Sequence, residues 1–280
     1  MTLVVLGDVM ADVVAAASGP LARGSDTPAR VHFAGGGSGA NVAWWAARLG
    51  GRVALVARVG DDAPGRGAVA ALQAAGVDAR VEVDPARPTG CCVVIVEPGG
   101  ERSMLPDPGA NDAPLRVPED LLAAGSHLHL AGYALLREGP RASALDALAR
   151  AGAAGMTTSL DPSSAALLAP GAFGSLRVDV LRCNADELHA LTGSGDPAAL
   201  LELAAEVVVT RGAEGALWTD GARTERVDAV AADVVDTTGA GDAFTAGLLT
   251  ARLAGAAPAA ALWAGARAAA TAVAARGARG

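Results

Sequence analysis

Short apolar runs of strand length alternate along the chain with stretches of helical periodicity, and few folds accept that rhythm. The runs lie at 3–6, 53–59, 127–131, 156–160, 178–182 and 207–210, several of them rich in β-branched residues. Helical stretches at 40–49, 64–75, 140–151 and 186–191 intervene, and they close on Gly50, Gly76, Gly152 and Gly193. Glycine at such a position takes the left-handed conformation that ends a helix without a Cβ clash. Parallel strands need long crossovers of this kind, so the pattern predicts an α/β fold, a doubly wound, mostly parallel sheet between helix layers. A hairpin, 216–219 with 224–227 around Asp220-Gly221, and two alanine-rich helices at about 240–253 and 258–275 complete the chain.

Two segments break the alternation. Residues 13–17 with 29–33, and 91–96 with 103–105 around Pro98-Gly99-Gly100, read as short antiparallel strands. They predict a small β lid, inserted at about 13–34 and 89–106 into a single domain spanning 1–280. Charge, glycine or proline interrupts every apolar run before the ~18 to 20 residues that a membrane span needs. Cys91, Cys92 and Cys183 form neither a disulfide framework nor a metal-binding pair. A formal charge of -8 opposes a nucleic-acid partner, because phosphate backbones reward clustered cations. The expectation is a cytoplasmic protein that meets neither membrane nor nucleic acid. The sequence contains no lysine, which excludes a Walker-A loop, a Schiff base and a Ser-Lys dyad. Any phosphate must be held by backbone amides, arginine or metal.

The densest chemical signal is Asp236-Thr237-Thr238-Gly239-Ala240-Gly241-Asp242-Ala243-Phe244, which follows a strand-like stretch at 231–235 and opens an apolar helix. Two glycines let successive N–H groups turn outward at a helix start, where the dipole also favours negative charge, so 239–241 reads as an anion cradle. An acidic residue in a first turn ordinarily compensates the dipole. Beside a bound phosphoryl group a carboxylate is unfavourable unless it takes the proton of an attacking hydroxyl, which makes Asp242 the candidate base. Gly35-Gly36-Gly37 does not complete a dinucleotide fingerprint, since Ala40 stands at the third glycine, and Ser38 is not in a nucleophile elbow. His127 and His129 alternate on one strand and face one side, with no third zinc ligand in view.

The run at 236–244 resembles the C-terminal signature of the ribokinase-like, or phosphofructokinase-B type, carbohydrate kinases. Three further segments are similar to that family and occur in its order: Gly35-Gly36-Gly37-Ser38-Gly39-Ala40-Asn41 with Val59-Gly60-Asp61-Asp62, then Asn184-Ala185-Asp186-Glu187, then Val209-Thr210-Arg211-Gly212-Ala213-Glu214-Gly215. With Gly7-Asp8 and Asp12 the resemblance covers essentially the whole chain. It implies ATP-dependent phosphorylation of a small carbohydrate under the lid, with Asp242 as base and the amides of Gly239, Ala240 and Gly241 as anion hole. Asn184 and Glu187 would organise magnesium, partly through water; by residue type alone they also suit the cap of a short helix. Thr210, Gly212 and Gly215 would line the nucleotide channel, while Asp12, Gly36, Gly37 and Asn41 hold sugar hydroxyls. Arg102 on the lid hairpin and Tyr133 at a strand end would be further substrate contacts, although an exposed arginine and a packed tyrosine suit those places too. Groups at Asp236 and Thr238 would bind a monovalent cation such as potassium, and the lid's open strand edges suggest a homodimer.

Departures leave the sugar open. Met10 and Ser38 stand where ribose-binding members carry a polar residue and a lysine, and Asp161-Pro162-Ser163-Ser164 lacks the arginine of many hexose and keto-sugar acid kinases. A nucleoside kinase is the alternative within the class, limited by 3% aromatic residues. A catalytically silent sugar-binding protein is the alternative outside it, opposed by intact Gly239, Gly241 and Asp242.

Overall fold

The computed structural model describes residues 1–98 and 101–279, so the turn expected at Gly99-Gly100, and Gly280, lie outside the described residues. In order the elements are β1 (Leu3–Leu6), β2 (Met10–Ala17), β3 (Ala29–Gly36), α1 (Ser38–Arg48), β4 (Val53–Gly60), α2 (Ala63–Ala74) and β5 (Asp78–Asp84). β6 (Gly90–Val96), β7 (Arg102–Asp107), β8 (His127–Ala131), α3 (Tyr133–Leu136), α4 (Glu138–Ala153), β9 (Thr157–Asp161) and β10 (Val178–Asn184) come next. The chain closes with α5 (Ala185–Thr192), β11 (Ala204–Thr210), β12 (Ala216–Thr219), β13 (Thr224–Val227), α6 (Ala240–Leu253) and α7 (Pro258–Val273).

The large sheet has nine strands in the order β13-β12-β11-β10-β9-β8-β1-β4-β5. Every pair from β11 to β5 is parallel, and only β12 and β13 turn back. Side chains alternate across a strand, so a continuous apolar run serves two cores at once. In β1, Leu3 and Val5 pack with α1, α2, α6 and α7, while Val4 and Leu6 pack with α4 and α5 on the other face. That double burial is why these runs lack the polar alternation of a one-sided sheet. The order doubles back at β1, whose neighbours are β4 and β8, and ligands of such sheets sit beyond the carboxyl ends of the strands at such a reversal.

Four expectations need correction. β5 lies where the periodicity predicts no strand: its Asp-Ala-Arg-Val-Glu-Val-Asp pattern belongs to an edge, largely exposed strand and looks like a loop in sequence. Residues 231–235 form no strand. Val234 and Val235 are exposed, and the amides of Val235 and Asp236 donate instead to the carbonyl of Val273 at the end of α7. The lid is not wholly antiparallel. Its order is β3-β2-β6-β7, with antiparallel outer pairs but a parallel β2–β6 pair at its centre. Both inner strands leave the large sheet in the same sense, after β1 and after β5, and so run side by side. Tyr133, placed at a strand end, opens α3 instead.

Candidate active site

Gly239 sits at the N-cap of α6 with φ 74, and a Cβ there would lie 2.7 Å from the Cα of Ala278. Both the left-handed backbone and the close approach demand glycine. The amide of Ala240 donates back to the carbonyl of Thr237 at 3.3 Å. Among the described residues the amides of Gly239, Gly241 and Asp242 have no protein acceptor, as the first turn of a helix leaves its N–H groups free. The start of α6 thus offers the amides of Gly239, Gly241 and Asp242 to an acceptor, whereas that of Ala240 is turned into its own loop.

One turn of helix puts Asp242 at the rim of this cradle. Its Oδ1 accepts from Ser38 Oγ at 2.8 Å and its Oδ2 from Asn41 Nδ2 at 2.8 Å, both on α1. Burial pushes its pKa up to about 7, with the charge of Asp161 adding to the rise against the hydrogen bonds from Asn41 and Ser38 and the charge of Arg182. Asn41 is itself buried, and Asp12 on β2 lies over the Cα of Gly36, so close that a Cβ there would come within 2.4 Å of the carboxylate. Burial raises Asp12 to about 6, opposed by Arg279 and aided by Asp8. Gly37, φ 90, is the N-cap of α1, where a Cβ would strike the carbonyl of Asp8 at 2.5 Å. Tyr133 faces the same carboxylates: burial, then Asp8 and Asp242, push its phenol up to about 12. Asn41 thus touches Asp242, Asp12 touches Gly36, Gly37 closes on Asp8, and Tyr133 lies in the field of Asp8 and Asp242.

On the other side of the cradle a cavity of about 510 Å³ opens, lined by Thr210, Gly212 and Gly215, by Thr237 and Gly241, and by an apolar wall including Val230, Phe244 and Val273. Arg182, at its floor, did not stand out in the sequence. A Cβ on Gly241 would meet its Nη2 at 2.8 Å, its Nη1 pairs with Asp161 at 2.7 Å, and its Nη2 donates to Thr210 Oγ1 at 3.0 Å. Arg182 and Asp161 are both buried. The available signal was a charge inside an apolar central strand, which a structural role does not require.

Asn184 and Glu187 form a capping box on α5: Asn184 Oδ1 accepts the amide of Glu187 and Glu187 Oε2 accepts the amide of Asn184, each at 2.8 Å. Burial, then the charge of Asp161, raise Glu187 to about 7. Arg102 reaches from the lid to the loop before α6, pairing with Asp236 at 2.9 Å and donating to Thr237 at 2.5 Å and to Thr238. Burial pushes Asp236 up, but donors from Thr238 and Gly277 and the nearby Arg102 outweigh it and hold the carboxyl below its usual range. His127 and His129 do face one side, both bonded to Ser159 Oγ, and burial keeps them neutral.

The pfkB family carbohydrate kinase model matches residues 1–280. The chain belongs to that family. It is 35% identical over 232 residues to a fructokinase of Vibrio alginolyticus, covering 76% of this chain and 75% of the relative. Among solved structures it is similar to an adenosine kinase from Sinorhizobium meliloti (TM-score 0.86, 28% identity, 99% of this chain and 95% of that one) and to Arabidopsis thaliana ribokinase complexed with ribose and ATP (TM-score 0.85, 28% identity, 99% and 94%). As a pfkB-family carbohydrate kinase it has the ribokinase-like α/β sheet with a small β lid. No helix among its described residues is long and apolar enough to cross a membrane.

Proposed function

We propose that this kinase transfers the γ-phosphoryl group of ATP to a hydroxyl of a neutral carbohydrate, with Asp242 as the base. The observation that carries the reading is the place of that carboxylate, between the polar pocket of Asp12, Gly36 and Asn41 and the free amides of Gly239 and Gly241. The carboxylate takes the hydroxyl proton as the oxygen attacks phosphorus, and the bond to the bridging oxygen breaks with its electron pair leaving on ADP. Charge spreads over the transferring group at that moment, so donors fixed in advance lower the barrier more than they tighten ground-state binding. Arg182, packed on Gly241, supplies the cation that a chain without lysine must find elsewhere.

The donor set suits magnesium held through water. Asn184 Oδ1 and Glu187 Oε2 are engaged in the cap, and among the described residues no group of three or more His, Cys, Asp or Glu forms a cage. Magnesium prefers a shell rich in water and phosphate oxygens with one or two carboxylates, and Glu187 would anchor it so. Bound there, it would neutralise phosphate charge. Potassium beside Asp236 and Thr238 belongs to the same reading, as do Thr210, Gly212 and Gly215 along the nucleotide and a reducing cytoplasm for the free cysteines. A second copy would cover the lid's outer face, where Phe33, Val13, Val93 and Leu105 stand abreast across four strands with Phe33 82% exposed.

The fructokinase relative puts ketohexose first among acceptors, and the adenosine kinase likeness keeps nucleosides as the second class. ADP release with Mg-ATP against fructose, ribose, other sugars and adenosine, for wild type and Asp242→Asn, tests the proposal. Turnover of one acceptor, lost by ~100-fold or more in the variant, is expected. Turnover that survives the substitution sinks the mechanism.

A further inference from the structure

Arg279 enters the acceptor pocket from the segment after α7 and touches groups far away in sequence. Its Nε donates to Asn41 Oδ1 at 2.9 Å and its Nη2 to the carbonyl of Gly36 at 2.9 Å. The approach needs Gly35, where a Cβ would lie 2.3 Å from Nη1. The segment that delivers it is pinned at each step: Gly277 N–H donates to Asp236 Oδ2 at 2.9 Å, Ala278 packs on Gly239, and Trp45 Nε1 donates to the carbonyl of Ala278 at 2.9 Å. No carboxylate among the described residues comes within ion-pair distance of the guanidinium, yet Asp12, Asp242 and Asp8 all lie in its field.

An amide has one acceptor end and one donor end. With Oδ1 of Asn41 taken by Arg279, Nδ2 is left facing Asp242 Oδ2, where it donates at 2.8 Å. We propose that Arg279 is a positioning residue for phosphoryl transfer, fixing the Asn41 amide nitrogen on Asp242 and the Gly36 carbonyl beside Asp12 with one side chain. The base and the floor of the acceptor pocket then share a single brace. The inference rests on the reading of Asp242 as the base. Around that carboxylate the charged and titratable groups are Asp161 of β9, Arg182 of β10, Tyr133 of α3 and Arg279 itself, with Ser38 and Asn41 of α1 in direct contact.

Steady-state kinetics of Arg279→Gln, Arg279→Lys, Asn41→Ala, the Arg279→Gln/Asn41→Ala pair and Asp242→Asn test it, with thermal unfolding as the control for folding. Arg279→Gln is expected to lower kcat on the order of 10- to 100-fold, as loss of reacting geometry does, while KM for ATP holds within about twofold. Its acid limb of kcat moves to higher pH, because removing a nearby positive charge disfavours the carboxylate. Lysine keeps the charge but not the fork, so it restores the limb and not the rate. In the Asn41→Ala background the Gln substitution costs clearly less than in the wild type, since part of its effect runs through the shared Asn41 contact and the rest through Gly36 and charge. Unchanged kcat in both Arg279 variants beside an inactive Asp242→Asn overturns this inference and leaves the proposed function standing. Additive losses in the double variant overturn it too. An active Asp242→Asn overturns the proposed function itself. Should Arg279→Gln fail to fold, Arg279→Lys carries the same test.

Discussion

The two halves of the site, on either side of the α6 N-terminus, are held by different means. On the side proposed for the acceptor, the polar side chains Asp242, Asn41 and Arg279 hold one another in a chain of hydrogen bonds, with Gly36 and the Asp12 carboxylate packed against them. On the side proposed for the nucleotide, the cavity is shaped by backbone and small apolar groups, with the buried Arg182–Asp161 pair at its edge. A network fails when a member is removed; a cavity built on glycine fails when an atom is added. Small polyols need many directional contacts in little space, whereas a nucleotide is larger and is held by shape, amides and charge.

The sharpest way to break this contrast is Arg182→Ala, which leaves Asp161 buried and unpaired. A loss of about 3 to 5 kcal/mol is expected in denaturant unfolding, while replacing both partners by apolar residues recovers stability without recovering turnover. A stability loss below about 1 kcal/mol would show that the pair is not an anchor. Gly239→Ala adds one atom to the cradle at φ 74, against Ala278. It is expected to lower kcat on the order of 100-fold with KM for the acceptor little changed, since the donors aim at the transition state. Equal damage to acceptor binding would blur the two halves.

The pH profile sharpens the acceptor side. With Asp242, raised to about 7, as the proposed base, kcat/KM is expected to fall about tenfold per unit as pH drops below about 7 and to level off above it. A limb near the ordinary carboxylate range would mean that the carboxylate is solvated or is not the base. The smallest effect is expected from Asn184→Ala, about 1 kcal/mol of stability for a lost cap, accompanied by a higher magnesium requirement in ADP-release assays. Lost stability with an unchanged magnesium requirement would reduce Asn184 to a cap alone.

Much of the fold is readable from periodicity. The run that became β1 coincides with the expected 3–6, because a strand buried on both faces announces itself by uninterrupted apolar residues, and β8 and both strands of the β12–β13 hairpin, marked by its Asp220-Gly221 turn, also coincide with their expected ranges. β5 escaped for the opposite reason: at a sheet edge, charge and apolar residues alternate without a run. In the site, local devices were visible, namely the Gly239-Ala240-Gly241 turn and the Asn184–Glu187 cap spacing. The contacts of Arg102 with Asp236, Thr237 and Thr238 depend on how the lid folds over and are not visible in local sequence. Arg182 and Arg279 carried no motif.

The sequence by itself determined the layered α/β architecture, the glycine turn at the start of α6 and the order of segments shared with the pfkB family. Those features are set within a few turns of chain, by side-chain period and by glycine's freedom, and need no partner to be read. Only the tertiary structure decided that Asn41, Asp242 and Arg279 meet, that Arg182 lies under Gly241, and that β2 and β6 run parallel at the centre of the lid. These pairings join residues as much as 238 positions apart. Nothing in local spacing encodes them; they follow from how strands order in the sheets and where each element then delivers its ends.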